Sequence, residues 1–148
     1  MYPLTLLLYD RQVTLADKLI RRLGGVTYTH VALQIGDTIA HVAVGERPKW
    51  TTRSVYDKVL GNPAKELCLG TYQGNLTNLF AHVAAACPHR ASIVKTLWHH
   101  FVVGGMHPGC TQLVCSCLRF MGHPVPDIPN PDTLLEYLTC LYLDYWPS

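Results

Sequence analysis

Apolar and polar positions along the chain predict strands in its first half and helices in its second. Residues 4–9 are apolar at nearly every position and stop at Asp10 and Arg11, which predicts a buried strand. Thr14 followed by Asp17 resembles a capping box, opening a helix that places Leu15, Leu19, Ile20 and Leu23 on one side and ends at Gly24 and Gly25. Residues 28–35 and 38–44 are two β-rich runs separated by Gly36 and Asp37, the signature of a hairpin with a two-residue turn. The stretch 45–52, which contains Pro48, predicts a loop. Ser54 is then expected to cap a short helix reaching Leu60, before Gly61, Asn62 and Pro63 break it. Residues 65–72 predict another strand.

The second half changes period. Helices are predicted over 76–86, stopped by Pro88, and over 91–103, stopped by Gly104 and Gly105. The loop His107-Pro108-Gly109 leads into a helix over 110–121. Four prolines hold the following segment, 122–131, extended. Pro131-Asp132 starts a last helix over 133–142. No internal repeat, low-complexity tract or long linker divides the chain, so the expected architecture is one α+β domain over 1–148. It would have a small antiparallel sheet and helices mainly in its second half.

Composition narrows the function classes. The chain has 148 residues and 49% hydrophobic content, enough for one sizeable core. Only 15% of residues are charged and the formal net charge is +2, so no strong field marks a nucleic-acid or membrane partner. The basic residues are scattered, with Arg21 and Arg22 the one adjacent pair. The apolar start lacks the basic flank of a secretory signal, and no run approaches the roughly 18 apolar residues that span a bilayer. A cytoplasmic protein without an integral membrane segment or C-terminal anchor is expected. In that compartment the six cysteines are expected to be free thiols, most of them small buried apolar residues.

One cysteine stands apart because of where it falls. With Gly36 and Asp37 as the turn, Ile35 faces Thr38, Ala32 faces His41 and His30 faces Ala43. His30, Ala32, His41 and Ala43 then share one sheet face, and Val31, Leu33, Ile35, Val42 and Val44 the other, more uniformly apolar one. The histidines lie on a diagonal of about 7–8 Å. On the helix beginning at residue 110, Cys110, Leu113, Val114, Cys117 and Met121 fall on one stripe, with Cys110 in the first turn. The open N–H groups and positive dipole end there favour thiolate over thiol and are placed to stabilise an oxyanion. Cys110 as nucleophile, His30 as base and His41 as the group orienting it would need no cofactor.

Thr29-His-Val-Ala-Leu-Gln-Ile-Gly36, then Ile39-Ala-His41, and much later Gly109-Cys-Thr-Gln-Leu-Val114 resemble the permuted papain-like cysteine hydrolases of the NlpC/P60 superfamily, in which the histidine strand precedes the cysteine helix. The resemblance implies a circularly permuted papain-like fold. It also implies Cys110 as nucleophile, His30 as base and His41 as third polar residue. Relatives in that branch include lecithin:retinol acyltransferase-like proteins, small phospholipid-modifying enzymes and amidases or peptidases. Thr111-Gln112 stands where the lipid-modifying branch carries an acidic residue and a histidine. The expected activity is therefore hydrolysis of an amide, peptide or isopeptide bond in a peptide, protein or other amide-containing substrate. An acyltransferase or thioesterase, or an inactive binding module of the same fold, is the alternative.

Other readings compete for the same residues. His107, Cys110, Cys115, Cys117 and His123 lie close in sequence, but Cys115 and Cys117 point to different sides of a helix and no CxxC knuckle is present, so no metal is expected. Cys115, the rival nucleophile, lies a full turn inside the helix. His99 and His100 are expected to meet C-terminal helix carbonyls, and Cys68, Cys87 and Cys140 to be core or surface residues. Gln34 and Tyr28 share the histidine face. Gln34 is either an oxyanion donor or an exposed strand-end amide, and Tyr28 either closes the site or merely covers it.

Overall fold

The computed structural model describes residues 1–10, 18, 22, 27–41, 49–86, 110–126, 128 and 130–145. Among them, strands β1 (Tyr2–Tyr9), β2 (His30–Ile35), β3 (Thr38–His41), β4 (Lys49–Thr52) and β5 (Lys65–Tyr72) form one sheet in the order β4-β3-β2-β1-β5. All pairs are antiparallel. Four helices accompany them: α1 (Arg53–Leu60), α2 (Leu76–Ala86), α3 (Cys110–Phe120) and α4 (Pro131–Tyr145). The architecture is α+β, as its sequence pattern predicts.

β1 is apolar on both of its faces because both are covered. Leu4, Leu6 and Leu8 join one core cluster, whereas Leu7 and Tyr9 join the other. The hairpin has the predicted register, with Ile35 opposite Thr38 and Leu33 opposite Ala40. Gly36 turns it in the left-handed region at φ 60°, and a Cβ there would come within 3.3 Å of the Tyr2 ring. Val31, Leu33, Ile35 and Ala40 face α3 and its neighbours, while Ala32 and Ile39 face Tyr56 of α1. The division between the two strand faces is therefore the one that alternation predicts.

Two local expectations are corrected. Residues 49–52 are a strand instead of a loop: β4 pairs along β3, with Trp50 opposite Ala40. Lys-Trp-Thr-Thr is rich in β-formers, and Pro48 precedes the strand without interrupting its ladder. The helix after it is capped by Thr52, whose Oγ1 accepts from the Val55 N–H at 3.4 Å, and Ser54 is already helical. An N-cap needs extended backbone, and the end of β4 provides it at Thr52.

α4 starts at Pro131, two residues ahead of the predicted start, because Asn130 Oδ1 accepts from the Thr133 N–H at 2.9 Å and Pro131 suits the first helical position. It also runs on to Tyr145. The predicted helices over 15–23 and 91–103 and the strand residues 42–44 lie outside the described residues, apart from Lys18 and Arg22.

α3 is buried on nearly every side, from Thr111 through Leu118, because it lies between the sheet and α2. Among the described residues no helix is long and apolar enough to cross a membrane.

Candidate catalytic site

β2 begins at His30, and what precedes it is fixed by α4. The Asp132 carboxylate, in the first turn of α4, accepts the Thr27 N–H at 2.6 Å and the Tyr28 N–H at 2.8 Å. The Thr29 N–H then donates to the Tyr9 carbonyl at 2.9 Å. These bonds satisfy backbone donors that have no sheet partner and set the position of the first strand residue. They also interrupt the strand alternation, so Tyr28 packs against the apolar-face core and not beside His30, correcting its expected placement.

Alternation carries His30 onto the α1 face, where its Nε2 is hydrogen-bonded to the Tyr56 hydroxyl. Tyr56 is the buried residue of α1. Its ring stands edge-on to Tyr9, 5.7 Å between centroids, and lies 4.8 Å from the His41 ring. His41 therefore shares the face of His30, as predicted, but it packs on Tyr56, and Tyr56 holds the imidazole nitrogen that His41 was expected to orient. Burial, followed by the nearby charge of His41, pushes the His30 pKa down to about 4. Burial, reinforced by Tyr9 and Cys110, pushes the Tyr56 pKa up, so its phenol keeps its proton.

Cys110 opens α3, which lies across the opposite, apolar face, and its thiol meets the site at the end of β2. The Val31 backbone N–H, in the peptide bond that follows His30, points at its sulfur. Cys110 also lies near enough to Tyr56 to raise its pKa. Residues 30, 41 and 56 thus form one cluster drawn from β2, β3 and α1, and Cys110 of α3 meets the backbone of the next residue, Val31, from the apolar face.

The expected net depression of the Cys110 pKa is not found. Burial pushes it up, and the Val31 N–H, the Thr111 hydroxyl and the first-turn N–H groups offset this only in part. Desolvation outweighs the helix terminus, and both the Cys110 thiol and the His30 imidazole rest neutral near pH 7. Among the described residues, the buried Thr111 hydroxyl makes no hydrogen bond of ordinary geometry, although it lies close enough to favour the thiolate.

The remaining candidates have structural surroundings. Gln34 donates to the Gly36 carbonyl at 2.8 Å and accepts from Arg53 Nη1 at 2.7 Å, so its amide is engaged in holding the turn and α1. Arg53 also pairs with Asp57 at 2.8 Å and Glu66 at 2.9 Å, tying α1 beneath the sheet. Cys115 and Cys117 are buried, whereas Cys68 and Cys140 are exposed free thiols. No group of three potential metal ligands converges among the described residues, which exclude His107.

Tyr56 is the residue that sequence reasoning missed. Hydrophobicity alone would turn Val55 and Val59 inward, yet they are 51% and 72% exposed. A phenol in a short helix that follows the hairpin is the available signal, and the rotation of α1 that makes it useful is not written in the pattern. No protein-family model matches this chain, and no curated protein matches it.

Proposed function

We propose that the protein is a cysteine hydrolase that cleaves an amide, peptide or isopeptide bond through a thioester on Cys110, with His30 as the base. The observation that carries this reading is the meeting at the start of β2: the Cys110 thiol takes the Val31 N–H, one residue along from His30, whose Nε2 is bonded to Tyr56. The reading assigns Nδ1 of His30 to the thiol.

His30 is unprotonated near pH 7 and so able to accept a proton, while its depressed pKa works against the transfer. Cys110 Sγ attacks the carbonyl carbon as its proton passes to His30, and first-turn N–H groups of α3 are placed to receive the developing oxyanion. His30 returns the proton to the nitrogen as the C–N bond breaks and the amine leaves. His30 then deprotonates a water that attacks the thioester, releasing the acid and restoring the thiol. All atoms and electrons balance with the side chains named, and water is the only co-reactant.

The test is a panel of peptide, isopeptide and ester electrophilic probes, with the modified residue identified by mass. Selective modification of Cys110, lost in His30→Ala, is the expected result. Labelling that follows exposure alone, with Cys68 and Cys140 fastest, overturns the reading. An acyl adduct on Cys110 that passes to an added amine in preference to water reassigns the activity to acyl transfer.

A further inference from the structure

Nε2 of His30 meets a phenol. We infer that Tyr56 is the positioning residue of the site: its hydroxyl oxygen receives the second N–H of His30 when the thiolate–imidazolium pair forms, and so aims Nδ1 at Cys110. The inference rests on the Cys110–His30 reading and adds a group that neither the spacing nor the histidine diagonal supplies.

Proton transfer within the pair dictates the need. When the S–H bond breaks and its proton joins Nδ1, both ring nitrogens become donors and the lone pair that accepted a hydrogen bond is gone. Nδ1–H is directed to the thiolate. Nε2–H sits in a half-buried corner walled by Tyr9 and Tyr56, where a donor left without an acceptor is costly. The Tyr56 oxygen is already bonded to Nε2, so the acceptor is in place before the proton moves. A phenol does this without adding charge, because burial keeps it protonated. A carboxylate there would hold His30 protonated at rest, whereas Tyr56 leaves the base free.

The surroundings assign the neighbours different parts. Among the described residues, the ionisable groups against His30 are Tyr9 of β1, His41 of β3 and Tyr56 of α1, and Cys110 of α3 acts on Tyr56. Tyr9 is held protonated, pushed up to about 12 by burial. A charge on His41 disfavours the imidazolium. Tyr56, alone in this group, has an oxygen already on His30. Its ring is fixed by Tyr9 and His41 on two sides, which restricts the direction of that oxygen.

The experiment follows the rate of Cys110 alkylation by iodoacetamide across the range from mildly acidic to strongly alkaline, in the full chain, with the site resolved by peptide mass. Wild type, Tyr56→Phe and His30→Ala are compared. Tyr56→Phe keeps the ring and its packing and deletes one oxygen. It is expected to react roughly tenfold more slowly near pH 7, equivalent to one pKa unit of lost ion-pair stabilisation, and to converge on wild type once the thiol is deprotonated without help. A Tyr56→Phe profile that superimposes on wild type while His30→Ala is slow overturns the inference and leaves the Cys110–His30 reading standing. A rate depressed equally at every pH also overturns it, since that marks a packing defect. If neither variant moves the profile, both the reading and the inference fail.

Should Tyr56→Phe unfold, shown by rapid labelling of buried Cys115 and Cys117, NMR of acidified wild type decides. A slowly exchanging His30 Nε2–H with contacts to the Tyr56 ring supports the inference. Exchange as fast as in free imidazolium overturns it.

Discussion

The two faces of the sheet are built from the same strands and do different work. One carries Leu4, Leu6, Leu8, Val31, Leu33 and Ile35 against α3 and α4. The other carries Leu7, Tyr9, His30, Ala32, Ile39 and His41 and, among the described residues, meets the eight-residue α1, whose buried side chain is Tyr56. The apolar face supplies cohesion, at about 1.5–3 kcal/mol for each fully buried leucine. The histidine face buries less and spends its side chains on groups that can move a proton. The lesson lies where they meet: the proposed nucleophile is carried by the cohesive side and the proposed base by the other, and the first peptide of β2 is the seam.

Cys110→Ala removes the proposed nucleophile and only one sulfur from the packing of the apolar face. Turnover and probe labelling should fall by at least about a thousandfold, as expected when a covalent nucleophile is removed, and the melting temperature should barely move. A large loss of stability would assign Cys110 to the core instead. Leu33→Ala attacks the cohesive face, and chemical denaturation should show a loss of about 2–5 kcal/mol, because the side chain is fully buried and packed among rigid neighbours.

Asp132→Ala attacks the seam. Losing both backbone hydrogen bonds to residues 27 and 28 should cost roughly 1–3 kcal/mol and slow Cys110 alkylation, through misplacement of His30. A stability loss with unchanged alkylation would separate the anchor from the site.

Acid sharpens the comparison further. The folded pKa of His30 is about 4, below its ordinary 6.5, so the unfolded chain binds the extra proton first. The stabilisation from keeping His30 neutral is complete above pH 6.5 and is lost as pH falls from there through about 4. His30→Gln should flatten that part of the stability curve, measured by thermal melts. An unchanged slope would mean that another group is responsible. The smallest effect is expected of Thr52→Ala, which removes the cap of α1 and should cost about 1 kcal/mol in denaturation experiments.

The apolar run of β1, the Gly36-Asp37 turn and the alternation through His30 and Ala32 fix local conformation with neighbours close in sequence. For that reason, the hairpin, its register and the face shared by both histidines were legible beforehand. Cys110 at the first turn of a helix was legible for the same reason. The strand β4 was obscured by Pro48, which marks the strand's edge as readily as a loop, and the cap at Thr52 depended on where that strand ended.

The amino-acid order alone determined which residues could be nucleophile and base, because helix period, strand alternation and turn chemistry act over a few residues. Only the tertiary structure decided that α3 crosses the apolar face, that Tyr56 of α1 takes Nε2 of His30, and that desolvation outweighs the helix terminus at Cys110. Those outcomes depend on how separate elements pack and exclude water, and packing is a property of surfaces that meet only after the chain has folded.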